Sequence, residues 1–220
     1  MRNFEGFYPE TNDFLIGIRF NNNKEWFHAN KDAYTKYLQE PIVALADECY
    51  SYMNEKHPEF LERPKVSRIN RDIRFSKIKL PYKESKWFFL RKDASPNLQY
   101  SLPTYFFEVA PDWYRYGFFY APAPADLAKY RKKADADLAA FERVIDTAEK
   151  LPFEITGDMY KRPFRKDLDE KLSSWYNRKF LQFTFYGNYE DKEFYTAKLK
   201  DTLCDAFDSL YPVYSYFMNI

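Results

Sequence analysis

More than one residue in five is aromatic, with 20 Tyr, 22 Phe and 4 Trp in a chain of 220, and this governs what the chain can fold into. Each ring takes roughly 150–250 Å² out of water when buried. So many rings need a larger core than a small loop-rich scaffold offers, and a chain of this length buries about 70 % of its unfolded surface. Tyrosine also tolerates a boundary, its ring dry and its hydroxyl wet, so the composition describes a core with amphipathic edges or a surface that stacks bases or sugars. Only 5 Gly and 13 scattered Pro are present, without a Gly/Ser run or Pro-rich tract. Nothing in the sequence reads as a linker, and 1–220 is expected to be a single domain.

Hydrophobic spacing divides the chain. Phe27, Tyr34, Leu38, Ile42, Leu45, Cys49 and Tyr52 recur at helical intervals, and Pro41 either kinks this helix or opens a second one. Tyr105, Phe107 and Val109 alternate like a strand, Pro111–Asp112 is a turn signal, and Trp113–Tyr120 resumes a strand, which predicts a hairpin. Trp87–Lys92 and Leu181–Tyr186 read as further strands. Asp126–Lys150 carries one apolar stripe (Leu127, Tyr130, Ala134, Leu138, Phe141, Ile145, Ala148) and reads as one helix. Shorter helices are expected over Leu168–Arg178 and from about Phe194 to Leu210, the last ending before Pro212. The sum is an α+β fold, a mostly antiparallel, aromatic-rich sheet packed with N-terminal, central and C-terminal helices.

Met1–Phe14 carries Glu5, Glu10 and Asp13 and does not read as a signal peptide, and the longest apolar runs, Ile42–Ala46 and Trp87–Leu90, are too short to cross a bilayer. Cys49 and Cys204 stand alone and give no disulfide framework. These features predict a cytoplasmic protein with no membrane partner.

Charge is distributed unevenly. The chain's net charge is +1, yet Lys65–Lys92 holds ten basic residues and two acidic ones, while the first 64 residues hold seven basic and eleven acidic. Such a block indicates either an anion site or internal pairing with the acidic helices. Apolar residues interleave it (Arg68, Ile69, Asn70, Arg71, Asp72, Ile73, Arg74, Phe75, Ser76, Lys77, Ile78, Lys79, Leu80, Pro81, Tyr82, Lys83), so parts of it are expected to be buried. Arginine's planar fork suits carboxylates and phosphates, whereas lysine acts as a point charge.

This segment, with the pattern Arg68-x-x-Arg71-Asp72-x-Arg74-Phe75-Ser76-Lys77-x-Lys79-x-Pro81-Tyr82-Lys83, resembles a microbial family of conserved hypothetical proteins, the domain-of-unknown-function family twenty-four sixty-one. Asn22-Asn23-Lys24-Glu25-Trp26-Phe27-x-x-Asn30-Lys31 is similar to that family's opening helices. Tyr105–Phe107 and Tyr120-x-Pro122 are similar to its central strands, and Gly157 with Lys161-Arg162-x-Phe164 to its later segment. The resemblance spans nearly the whole chain and brings no activity with it. The family pattern has a run of glycines before Tyr-x-Pro where this chain has only Gly117, which argues against a ligand lying on that strand.

Most familiar chemistries fail on the residues. His28 and His57 are the only histidines and have no Cys or His at metal-ligand spacing, so no metal site is expected. No glycine-rich phosphate loop is present, and no cofactor is expected. Ser76-Lys77-Ile78-Lys79 matches Ser-x-x-Lys without its companion motifs and counts as chance. Asp72, Glu108, Asp112 and Asp158 are scattered acids, of which Asp72 is the candidate general base if there is catalysis.

The reading reached is recognition of a small phosphate- or carboxylate-bearing ligand, by binding protein or enzyme. Arg68, Arg71, Arg74, Ser76, Lys77, Lys79 and Lys83 are its candidate contacts, with Tyr82 and Trp26 as a wall. Asn30 and Lys31 stand beside Trp26, and Lys161 and Arg162 reach in from the later segment. Two alternatives stand: a structural ion-pair network without a ligand site, and single-stranded nucleic-acid binding. The near-neutral charge balance disfavours the second.

Overall fold

The structure, a computed structural model, describes residues 3–58, 63–75, 77–92 and 102–218. The helices are α1 (Pro9–Phe20), α2 (Lys24–Ala29), α3 (Lys31–Tyr34), α4 (Glu40–Lys56), α5 (Pro124–Ala136), α6 (Leu138–Glu149), α7 (Glu170–Tyr176), α8 (Lys198–Ser209) and α9 (Tyr211–Met218). The strands are β1 (Lys65–Val66), β2 (Lys86–Leu90), β3 (Thr104–Ala110), β4 (Trp113–Tyr120), β5 (Glu154–Thr156) and β6 (Leu181–Gly187). They form a six-stranded sheet in the order β1-β2-β3-β4-β6-β5, antiparallel where β1 meets β2 and β5 meets β6. The fold class is α+β, with an aromatic core. Among the described residues no helix is long and apolar enough to cross a membrane.

The chain divides into two compact units: Met1–Leu90, Phe106–Tyr116 and Tyr186–Asp205 make the first, and Arg91–Tyr105, Gly117–Phe185 and Ala206–Ile220 the second. Strands β3, β4 and β6 each contribute residues to both. Rings organise each core. In the first unit Phe7 stacks on Phe194 at 4.7 Å and on Phe107 at 5.7 Å, and Phe107 lies 5.6 Å from Phe88. In the second, Tyr105 stacks on Tyr214 at 4.9 Å, and Phe118 meets Phe183 edge-on at 5.6 Å. Tyr130, fully enclosed, donates its hydroxyl hydrogen to the Trp175 carbonyl at 3.1 Å. Leaving that hydroxyl without a partner would cost about 1–3 kcal/mol.

Several expected elements change shape for identifiable reasons. The stripe from Phe27 to Tyr52 is distributed over α2, α3, a π-helical turn at Thr35–Gln39, and α4. Pro41 sits in the first turn of α4, where its missing N–H costs least, and the π turn directly precedes it. The long central helix breaks at Asp137, which leaves helical geometry (φ −149°) and caps α6 by accepting from Ala140 N at 2.8 Å. An aspartate that captures a backbone N–H ends one helix and starts the next, while the apolar stripe continues on both. Asp169 caps α7 in the same way, accepting from Leu172 N at 2.8 Å. The C-terminal helix, α8, ends at Ser209, before Pro212 as expected, and Pro212 then lies in the first turn of a further helix, α9. The hairpin at Pro111–Asp112 is a two-residue turn in which Asp112 adopts φ 73° behind a proline.

Gly117, on β4, is approached by backbone. It has φ 152°, and a Cβ there would lie 1.9 Å from the Phe183 carbonyl oxygen. Gly117→Ala is expected to destabilise the protein by on the order of 3 kcal/mol, measured by urea denaturation. Wild-type stability in that variant would mean the strand can shift to make room.

Candidate functional site

The basic segment is a long hairpin whose stem is closed by backbone. Arg71 N donates to the Pro81 carbonyl and Lys83 N to the Ile69 carbonyl, both at 2.8 Å, around an Asn70–Tyr82 bridge. The stem is pinned from the first unit's helical side. The Asn22 side chain accepts from Tyr82 N at 3.0 Å and donates to the Tyr82 carbonyl at 3.1 Å, while the Tyr82 ring stacks on Phe27 at 4.2 Å. Tyr82 is therefore a buried anchor and not an exposed wall.

Anchoring Tyr82 places its neighbours along an open groove. Its volume is about 480 Å³, and it is lined by Arg19, Arg71, Lys83, Glu84, Ser85, Glu108, Ala110, Pro111, Trp113 and Arg115, all in the first unit. Most of the charge here is already matched. Arg115 reaches Glu108 Oε2 through Nε at 2.9 Å and Nη2 at 2.6 Å, and Ser85 Oγ donates to Glu108 Oε1 at 2.7 Å. Burial works against the Arg115 charge, but the Glu108 carboxylate outweighs it and raises the guanidinium's pKa. Arg19 bridges Glu84 at 3.3 Å and Asp112 at 3.1 Å.

Arg71 and Lys83 are the exceptions. Among the described residues neither has a carboxylate within ion-pair distance. Arg71 spends only Nε, on a long contact of 3.4 Å to the Tyr82 carbonyl. Lys83 lies 5.3 Å from the Trp87 ring centre, and its pKa is lowered first by burial and then by the Arg71 charge. Two cations thus share one groove and repel each other.

The remaining sequence candidates fall elsewhere. Beyond the stem, Arg74, Lys77 and Lys79 stand exposed on the 72–80 loop, and Ser76 lies outside the described residues. Arg74 closes on Asp72 at 2.7 Å, and that pair, hydrogen-bonded through side chain and backbone, holds the Asp72 carboxyl at about 2. A carboxylate so stabilised is a weak base at neutral pH. Arg68 is exposed. Trp26 packs its indole where a Cβ on Gly17 would stand, 2.5 Å away, and Asn30 returns its amide to the Trp26 carbonyl at 2.9 Å. Both serve the α1–α3 packing, and Lys31 is exposed at the start of α3. Lys161 and Arg162 are exposed residues of the second unit. No group of three or more His, Cys, Asp or Glu is placed to hold a metal ion among the described residues.

Sequence reasoning passed over Arg19, Ser85, Trp113 and Arg115. One signal was available, because Glu108 and Arg115 are equidistant from the Pro111–Asp112 turn and so face each other across the hairpin. It also passed over Lys86, which is 1 % exposed. Its ammonium donates to the Ser67 carbonyl at 2.6 Å and to the Tyr34 hydroxyl at 2.9 Å, and no carboxylate compensates it among the described residues. Burial, then the charge of Lys83, lower its pKa to about 8, and burial raises the Tyr34 phenol to about 12.

The fold and this groove define an aromatic-cored α+β protein with a cation-bearing cleft beside a basic hairpin. The chain belongs to the family described as Conserved hypothetical protein (DUF2461), whose pattern matches residues 10–216. The comparison with curated proteins finds no match.

Lys86 makes stability depend on pH. Unfolded, it titrates near 10.5; folded, at about 8. Below pH 8 both states are charged and the burial cost is fully felt. Between 8 and 10.5 the unfolded chain holds a proton that the folded chain has lost, so stability rises with pH, in total by on the order of 3 kcal/mol. Urea denaturation across pH 7–9.5 is expected to show this rise in wild type and its loss in Lys86→Met. An equal rise in both would assign it to another group.

Proposed function

We propose that the protein recognises a small anionic ligand, phosphate- or carboxylate-bearing, in the groove at Arg71 and Lys83. One observation carries the reading: in a groove whose other charges are paired, these two cations have no carboxylate within ion-pair distance among the described residues. A bound anion offsets their repulsion and, through its opposite charge, the burial that disfavours the charged form of Lys83. Arg71 supplies the planar fork and Lys83 the point charge. Trp113 offers an apolar ring on the groove's lining for the organic part of the ligand, and Arg115 on the same lining is held by Glu108. The reading covers a binding protein or an enzyme, and no reaction is assigned. A cytoplasmic setting belongs to the same reading.

The structural alternative needs pairs between the hairpin's cations and the acidic helices. Among the described residues of 68–83 the carboxylate pair formed is Arg74–Asp72, inside the loop itself, which favours the ligand reading. Nucleic-acid binding is separated from it by salt, since affinity for a polyanion falls steeply with ionic strength.

A thermal-shift screen with phosphate, sulfate, sugar phosphates, nucleotides, dicarboxylates and a short single-stranded oligonucleotide tests the proposal. A ligand at a hundredfold its Kd stabilises by ~2.7 kcal/mol, or roughly 5–11 °C for a chain of this size. That shift is expected in wild type and lost in Arg71→Ala. Ligand-free Lys83→Gln is expected to melt at or slightly above the wild-type temperature, because it removes a repulsion. No shift with any small anion, or an undiminished shift in Arg71→Ala, would overturn the assignment.

A further inference from the structure

The groove uses the stem of the basic hairpin and leaves its tip unexplained. Beyond the Asn70–Tyr82 bridge the loop holds Ile73, Phe75, Ile78 and Leu80, exposed at 37 %, 95 %, 53 % and 40 % respectively. Single exposed apolar side chains are ordinary, but four within eight residues of one loop are a concentration. Arg74, Lys77 and Lys79 are exposed between them, and the loop's one acid, Asp72, is spent on Arg74. The guanidinium of Arg74 lies 5.9 Å from the Phe75 ring centre, so charge and ring are presented side by side.

We propose that this loop docks the protein on an anionic lipid surface. Three features favour a lipid interface over other occupants. The apolar side chains are mainly aliphatic, with Phe75 as the exposed ring, whereas a nucleic-acid surface needs several rings to stack successive bases. They project from a hairpin tip instead of lining a concave or flat patch, and a fluid interface accepts a protruding wedge without a matching shape. The cations alternate with the apolar groups, the arrangement in which stems enter the acyl boundary while charged heads stay among the phosphates. The tip rests on a stiff base, since its stem is closed by two backbone hydrogen bonds and clasped by Asn22. Crossing the bilayer is not required, and the contact is peripheral and reversible.

Co-sedimentation of the full chain with vesicles tests this. Binding is expected to phosphatidylcholine vesicles containing phosphatidylserine, not to phosphatidylcholine alone, and to weaken at high salt. Phe75→Ser is expected to weaken binding on the order of tenfold, and Lys77→Gln and Lys79→Gln by roughly fivefold each. These residues are exposed, so the variants should melt with wild type, and circular dichroism checks that. Absence of vesicle binding, equal binding with and without the anionic lipid, or wild-type binding by Phe75→Ser would each overturn the proposal. Loss of oligonucleotide binding in Phe75→Ser, without vesicle binding in wild type, would overturn it in favour of nucleic acid.

Discussion

The clasp between Asn22 and the backbone of Tyr82 is the contact on which the rest of the site depends. A single amide side chain satisfies both the N–H and the carbonyl of one residue in the middle of a basic segment, and the Tyr82 ring fills the space against Phe27. Backbone groups entering a core need partners, since each one left unmade costs about 1–3 kcal/mol. With Tyr82 fixed, the stem has one register. Arg71 and Lys83, next in the chain to Asn70 and Tyr82, line the groove, and the described residues between 72 and 80 do not.

The division of charge follows. Glu108 receives Arg115 and Ser85, and Glu84 and Asp112 share Arg19, which leaves Arg71 and Lys83 on the groove's lining with no carboxylate within ion-pair distance among the described residues, although the Glu108 charge still attracts Lys83 from beyond that distance. Below them in the chain Lys86 is buried against Ser67 and Tyr34. Three cations held at some cost within sixteen residues are hard to explain as stabilising features. Replacing buried ions with apolar side chains is often neutral or stabilising, so a sequence shaped for stability alone has cheaper choices here. For Arg71 and Lys83 the proposed anion would offset that cost, whereas Lys86, which is not on the groove's lining, is held by Ser67 and Tyr34. The hairpin tip extends the same theme outward, with apolar side chains exposed to water and cations beside them.

The α+β class and the central strands were legible because Tyr105–Val109 and Trp113–Tyr120 are short aromatic runs on either side of a turn signal; that β3 is buried on both faces was not, since alternation suggested only one. Helix ends were less so. Asp137 breaks a continuous apolar stripe by capping, a competition that hydrophobic spacing does not register, and the end of α8 before Pro212 was legible whereas the further helix that Pro212 opens was not. The basic block was legible as a block, but which of its members converge was not. Arg71 and Lys83 differ from Arg74 and Lys79 only in lying on the bridged side of the stem, and that register is set by Asn22, some sixty residues earlier. Arg19 and Trp113 enter the groove from other elements, as tertiary contacts do, and no local pattern marks them. Tyr82 and Trp26 looked like walls for a ligand because exposed and buried aromatics are indistinguishable in a sequence so rich in rings.

The most direct measurement of the central claim is diffraction from a crystal soaked in tungstate, a heavy phosphate analogue whose anomalous signal fixes its position. The account predicts a peak within hydrogen-bond reach of both the Arg71 guanidinium and the Lys83 ammonium, with the Arg115–Glu108 and Arg19–Glu84 pairs unchanged. A groove without tungstate, in which Arg71 and Lys83 have turned to Glu84 or Glu108, would contradict it and make the basic hairpin a structural element.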